Sequence, residues 1–232
     1  MEDRRFPSAT RTEVTDYEFG QGTSVLIENE INKRLLSLRA NPFDSYLYTK
    51  LEISSRILLG KPALNDEEYV EIVRLKSDEW QDRKQNKSFE NFYLSALTAL
   101  EYYLLTGRDI ASKEELKELK KEVEPIARLN HRTLFESSND VSFDADGEDY
   151  MSDNDIFLND NLIKVAELGL IARYLGLDSI DGKFDQIIKA LETQTKNVNF
   201  KSMFNTNDDK DSILIMKRMA DIILIKDHIT KV

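Results

Sequence analysis

The sequence predicts an all-α protein, a multi-helix bundle or irregular helical array of about eight helices, with an extended N-terminal arm and an internal acidic loop. Three observations support this fold class. Apolar residues recur every three or four positions along most of the chain. Capping motifs bound these periodic stretches. Only four prolines and eight glycines occur among 232 residues, which disfavours a strand-and-turn architecture.

Residues 1–22 have no apolar periodicity and contain Pro7, Gly20 and Gly22, so we expect an extended arm. Residues 23–132 predict a helical region of about five helices. The first helix should begin at Thr23 or Ser24 and end near Arg39, with Ile27, Ile31, Leu35 and Leu38 on its inward face.

The next helix is predicted to start at Asn41-Pro42, where proline would occupy the first helical position, and to end at Gly60. Capping boxes with Asn65 and Ser112 as N-caps mark the starts of two more helices, and a helix capped by Ser88 should end at Gly107. In the second helix, Tyr46 falls on the apolar face, whereas Tyr48 lies off that face; Tyr48 and Tyr102 are therefore candidates for surface contacts.

Residues 153–232 predict about three further helices that pack on the first region. Residues 153–175 are apolar almost all round, which is typical of a helix with neighbours on several sides. A shorter helix should follow Ser179. Residues 212–229 fit either a helix or a strand pair, and their unbroken length favours a helix.

Residues 133–152 form the predicted acidic connector loop between the two helical regions. The 31 residues between Arg132 and Lys164 contain nine acids and no Lys, Arg or His. Without those nine acids, the formal net charge of −11 falls to −2, so one segment carries most of the net charge. Such a segment would suit a basic partner surface, and a solvated connector has the same composition.

One alternative for this loop is a calcium site, because Asp144, Asp146 and Gly147 match three positions of a helix-loop-helix calcium loop. That register places Ser142 and Asp153 where the motif requires Asp and Glu, respectively. It also places an acid where an apolar residue anchors the loop, so the sequence predicts no metal site.

The residue inventory predicts no catalytic and no cofactor-binding residue. Cysteine is absent, which removes thiolate nucleophiles and Cys-ligated metals. The two histidines, His131 and His228, are isolated from any metal-binding or nucleophile motif. The Gly176–Gly182 stretch has five residues between its glycines where a phosphate loop has four. We therefore expect no cofactor and no enzyme activity.

The predicted location is cytoplasmic or inside an assembly formed within a host cell, a virion included. The charged N-terminus does not resemble a secretory signal, and no apolar run is long enough to cross a membrane. A pI near 4.8 disfavours direct binding to nucleic acid or to an anionic membrane.

These observations predict a non-catalytic structural or assembly protein, a helical subunit of a homo-oligomer or larger hetero-complex; the helical connector and ring components of phage particles have this general architecture. An acidic regulatory module that docks on a basic protein surface is the alternative. In either case the arm and the acidic loop should make the contacts. The candidate partner-binding residues are Phe6, Tyr17, Phe19, Asp144, Asp146, Glu148, Asp149 and Tyr150.

Overall fold

The computed structural model describes residues 11–85, 89–125, 160–177, 198–204 and 209–226. Within these ranges the regular structure is entirely helical, which confirms the all-α prediction. The helices are α1 (Arg11–Phe19), α2 (Thr23–Arg39), α3 (Ser45–Leu59), α4 (Asp66–Lys84), α5 (Phe89–Thr106), α6 (113–125), α7 (Asp160–Leu175), α8 (Phe200–Met203) and α9 (Asp209–Lys226).

The N-terminal arm is not extended between residues 11 and 19, where α1 forms instead. The hydroxyl of Thr15 is buried and donates to the carbonyl of Leu58 at 2.6 Å, and Thr12 lies 3.4 Å from the carbonyl of Leu59. These carbonyls belong to the last turn of α3, where they have no partners within their own helix. The prediction failed because α1 has no periodic apolar face: it is held by these polar contacts with α3 together with the single buried ring of Phe19.

Helix α2 spans the predicted residues, and its expected inward residues are all buried: Ile27, Ile31, Leu35 and Leu38. Its N-cap differs from the prediction. Gly22 occupies that position with a φ of 80°, and the carboxylate of Asp16 in α1 accepts from the amide of Ser24 at 2.9 Å.

The start of α3 corrects the sequence prediction. Asp44, not Asn41, is the N-cap, and its carboxylate accepts from the amide of Leu47 at 3.1 Å. Asn41 instead donates from its side chain to the carbonyl of Ser37 at the end of α2. The helix therefore begins at Ser45, three residues later than the Asn41-Pro42 start implies.

The tyrosines of α3 are reversed relative to expectation. Tyr48 is buried and stacks on Phe43 with ring centroids 4.4 Å apart, whereas Tyr46 is 51% exposed. Tyr48 is thus not a surface contact. Stacking on an aromatic residue in the preceding turn is a tertiary preference that the α3 pattern alone does not contain.

The predicted caps of α4 and α6 are confirmed. Asn65 and Glu68 form a reciprocal capping box, and Ser112 and Glu115 form a second one. Helices α3 and α5 end as predicted at Gly60 and Gly107, both with positive φ.

Residues 212–226 are helical, which settles the choice between helix and strand for this part of the chain. From Ser212 to Ile225 every residue of α9 is buried except Leu214 and Lys217, which are partly buried. Helix α9 packs on α3, α7 and α2, and its apolar side chains share one core with those of the N-terminal helices. It is therefore the central helix of the described structure.

Helix α7 packs on α9 and α5, and is described from residue 160. The predicted start of this helix at residue 153, the helix after Ser179 and residues 227–229 lie outside the described residues. No helix in the described ranges combines the length and apolar content needed to cross a bilayer.

The corrected start of α3 gives the first testable prediction. Substitution Asp44→Ala should lower the free energy of unfolding by about 1 kcal/mol, because it leaves an N-terminal amide of the helix without its side-chain acceptor. Asn41→Ala serves as the matched control and should lower the free energy of unfolding by only a few tenths of a kcal/mol. Urea denaturation of both variants measures the difference, and a larger cost for Asn41→Ala would restore the sequence-based start.

Candidate functional site: a buried ion cluster and the outer face of α2

Charged side chains from five helices converge in the interior of the protein. We call this group the ion cluster, and it contains three lysines and three acids. Its members are Lys50 of α3, Lys76 of α4, Glu101 of α5, Glu167 of α7, and Lys217 and Asp221 of α9. Equal numbers of opposite charges make it formally neutral.

Glu101 links the N-terminal half of the cluster. One of its carboxylate oxygens accepts from the buried Lys50 ammonium, and the other lies 2.7 Å from Nζ of Lys76. Lys76 also donates to Glu79 at 2.8 Å. A single buried carboxylate therefore joins α3, α4 and α5, the arrangement that burial of two ammonium groups requires.

Lys217 links the C-terminal half of the cluster. It donates to Oδ2 of Asp221 at 2.8 Å, one turn further along α9. Its Nζ also lies 3.9 Å from Oε1 of Glu167 in α7. These contacts tie the central helix to its neighbour by charge as well as by apolar packing.

The two halves of the cluster influence each other's proton affinity. Burial, helped by the neighbouring charges of Lys217 and Lys76 and opposed by Glu167 and Asp221, lowers the pKa of Lys50 to about 7. Burial also acts to lower the pKa of Lys217, but Asp221 and Glu167 together outweigh it, so that this pKa is raised. The two lysines therefore differ in their readiness to lose a proton, and Lys50 is the one that titrates near neutrality.

A cavity of about 20 Å³ lies between the two halves of the cluster, lined by Lys50, Glu101, Glu167, Lys217 and Asp221 together with aliphatic side chains. A volume of this size holds about one water molecule. In the described conformation the cluster can therefore order helices and hold a water, but it has no room for a larger ligand.

The face of Tyr46 lies over the cluster. The Lys50 ammonium is 5.0 Å from the centroid of the Tyr46 ring, within the range of a cation–π contact. Burial raises the pKa of the half-exposed Tyr46 phenol, and also that of Tyr93. Both phenols consequently stay neutral at physiological pH.

A second, larger cavity of about 180 Å³ lies between α4, α5 and α6. Trp80, Phe92 and Leu119 contribute its apolar lining, and Lys84 and Glu115 pair with each other at its rim. Cations and carboxylates both border it, so its charge does not select a ligand class.

Most of the predicted partner-binding residues lie outside the described residues: Phe6, Asp144, Asp146, Glu148, Asp149 and Tyr150. Tyr17 is 87% exposed on α1, as a contact residue should be. Phe19 is buried, and its ring meets the edge of Phe200 with centroids 5.5 Å apart. Phe19 is therefore an internal packing residue and not part of an accessible contact surface.

The outer face of α2 was not anticipated from the sequence. Val25 and Leu36 are 59% and 69% exposed, and the exposed positions between them on the same face are Asn29 and Asn32. We call these four residues the α2 seam. At 3.6 residues per turn they fall within an arc of about 60°, and none of them is charged in a chain with 32% charged residues.

Sequence reasoning also missed the ion cluster, although α3 and α5 each carry a signal for it. Lys50 lies three residues before Ile53, and Glu101 lies between Leu97 and Leu104, so both occupy positions on apolar faces. A charge at such a position predicts a buried partner. The identity of that partner depends on how the helices pack.

Comparison of the chain with protein-family models, curated proteins and solved structures gave no match. Within the described ranges, no group of three or more His, Asp or Glu side chains is arranged to hold a metal ion. The function of the chain is therefore inferred from the geometry of the ion cluster and of the α2 seam.

The bridging role of Glu101 can be tested by mutation. Glu101→Ala should destabilise the protein by about 3–5 kcal/mol, because it removes the carboxylate shared by two buried ammonium groups. The triple variant Lys50→Met, Lys76→Met, Glu101→Leu should lie close to the wild type, since matched apolar groups replace the ions. Urea unfolding compares the two, and a triple variant as unstable as Glu101→Ala would contradict this role.

The depressed pKa of Lys50 predicts a pH dependence of stability. The folded state holds Lys50 near pKa 7 whereas its ordinary value is 10.5, so between these values the unfolded chain binds more protons. Stability contributed by this group therefore rises with pH from 7 to 9.5, by at most about 1.4 kcal/mol per pH unit.

The control for this measurement is Lys50→Met, which keeps the volume and removes the titrating group. The wild type should gain unfolding free energy relative to this variant as the pH increases through that window. Lys217 and the tyrosines with raised pKa values lose their protons first from the unfolded chain, which opposes this gain as the pH approaches 10. Both proteins carry these groups, so their effect cancels in the difference. If the unfolding free energies of the wild type and of Lys50→Met change with pH by the same amount, Lys50 has its ordinary pKa.

Proposed function

We propose that this chain is a non-catalytic assembly subunit that contacts other protein chains through the outer surface of α1 and α2. The observation that carries the proposal is the α2 seam, an exposed, uncharged stripe with an aliphatic residue at each end. Single exposed apolar residues are ordinary on protein surfaces. An aligned set without charge, rimmed by charged side chains, is more typical of an interaction surface.

Tyr17 supports the same surface. It follows Asp16, whose carboxylate accepts from Ser24 in the first turn of α2. Tyr17, whose side chain is exposed, therefore follows a residue bound to the N-terminal end of the helix that carries the seam. Tyrosine is enriched at protein interfaces because it contributes apolar area and a polar tip together.

The interior supports a rigid platform for this surface. Arg34 on the inner side of α2 donates to the hydroxyl of Ser212 in α9 at 2.8 Å and pairs with Glu30. The inner face of α2 is thus fixed to the central helix by polar contacts, so the seam is presented in a defined orientation. A preordered surface loses less entropy when it binds a partner.

The acidic segment favours a second candidate function, docking on a basic protein surface. Its nine acids in 31 residues are the supporting observation. Salt distinguishes the two proposals. Association through charged segments weakens as ionic strength rises, whereas association through the uncharged α2 seam is far less sensitive to salt.

The test of the assembly proposal measures the size of the complex in lysate of the cells that naturally produce the chain. Wild type should sediment as a complex much larger than the 26.9 kDa single chain. The double variant Val25→Asp, Leu36→Asp should sediment as the monomer. Val70→Asp is the matched control, because Val70 is 64% exposed and belongs to α4 rather than to α2.

Monomeric wild type in native lysate would contradict the proposal. A complex that dissociates between 50 mM and 500 mM salt but tolerates the double variant would favour the acidic segment instead. Circular dichroism of the purified variants checks that the substitutions leave the helices folded.

A further inference from the structure

The spacing of the seam residues fits a coiled-coil heptad. Val25, Asn29, Asn32 and Leu36 are separated by four, three and four residues, the alternation of d and a positions. The opposite side of α2 is committed to the core through residues such as Ile27 and Leu35. The helix therefore has one face buried in its own chain and a second face with the pattern of a helix–helix seam.

The two charges beside the seam are complementary between two copies of the same helix. Glu28 falls at the g position and Lys33 at the e position that follows it. In a parallel pair, a g residue lies next to the e residue five positions further along the partner helix. Glu28 of one copy would thus meet Lys33 of the other, and twofold symmetry forms that contact twice.

Both side chains are accessible for such a contact. The Glu28 side chain is 45% exposed and the Lys33 side chain is 58% exposed. Within its own chain Glu28 pairs with Lys61 at the surface, and Nζ of Lys33 lies 3.8 Å from Oε2 of Glu30. An exposed pair of this kind is worth little and can be shared with a second cation.

The charges select the orientation of the pair. In an antiparallel arrangement the seam would also match itself, with Val25 opposite Leu36 and Asn29 opposite Asn32. In that arrangement, however, the g positions of the two helices lie on one side of the pair and the e positions lie on the other. Glu28 of one copy is then on the same side as Glu28 of the other copy, and Lys33 is on the same side as the second Lys33. Only the parallel arrangement brings unlike charges together.

The seam is short, which limits its affinity. A stable protein interface buries about 800 Å² on each partner, and four seam residues with two flanking charges cover less than that. Two asparagines in the seam lower affinity further but fix register, because a polar residue in a seam is satisfied only when it meets its counterpart. We therefore expect a weak, register-specific contact that is strengthened by repetition in an assembly.

We infer that the α2 seam binds a second copy of this chain in parallel register, with Glu28–Lys33 contacts across the twofold axis. This inference rests on the proposed function and names the partner of the same surface.

The experiment exchanges charges between copies. Purified full-length Glu28→Lys and Lys33→Glu chains should each associate more weakly than wild type, because each single change puts like charges across the pair. An equimolar mixture of the two variants should recover association, because both contacts are then attractive. Sedimentation velocity at 10 to 500 µM measures the effect, and a recovery of at least threefold in association constant is expected.

Glu71→Lys provides the control, because Glu71 forms an exposed ion pair with Arg74 within α4 and is not a residue of α2. It should leave association unchanged. Recovery in the mixture supports the parallel pair. Association that is equal in wild type, both single variants and the mixture would overturn it.

The outcomes also separate this inference from the proposal on which it rests. If purified wild type stays monomeric at 500 µM while the native lysate contains a seam-dependent complex, self-pairing is contradicted and the assembly role is still supported. If the chain is monomeric in both settings, both proposals are contradicted.

Discussion

Pairing of the buried charges around α9 is the constraint on which the helical array depends. Helix α9 is almost entirely buried, yet it carries Lys217 and Asp221 into the interior. Removing such groups from water costs several kcal/mol each unless partners with good geometry are supplied. Glu167 of α7, and across a water-sized cavity the Lys50–Glu101 pair, surround them with balanced charge. The apolar core drives association of the helices, and the ion cluster restricts the ways in which they can pack.

The same central helix connects the interior to the proposed contact surface. Ser212 at the start of α9 accepts from Arg34, which lies on the inner side of α2, and Glu30 completes that contact. A shift of α9 would therefore move α2 and the exposed seam with it. The buried ion cluster, which fixes the position of α9, therefore also fixes the orientation in which the outer face of α2 is exposed.

The elements that sequence reasoning predicted correctly are those specified by local chemistry. The Asn65 and Ser112 capping boxes, the glycine ends of α3 and α5 and the apolar stripe of α2 are all encoded within a few residues. Two of the errors arise where residues outside the helix decide the outcome. Helix α1 depends on carbonyls of α3, and Tyr48 is buried by Phe43 in the preceding turn.

The candidate site was beyond sequence reasoning for the same reason. Lys50 and Glu101 are 51 residues apart, and nothing in the local pattern of either helix names the other. The seam is different, because its heptad spacing is present in the sequence. It was hidden by the stronger core-facing stripe of α2, and became visible only when burial separated the two faces of that helix.

Native-state hydrogen exchange tests the central claim most directly. If α9 is the helix around which the charges and the core are organised, the amides from Ser212 to Ile225 should exchange only through global unfolding, together with those of α3. Their exchange free energies should then equal the unfolding free energy from urea denaturation. Exchange of the α9 amides through local opening, several kcal/mol below the global value and faster than the amides of α4, would contradict the account.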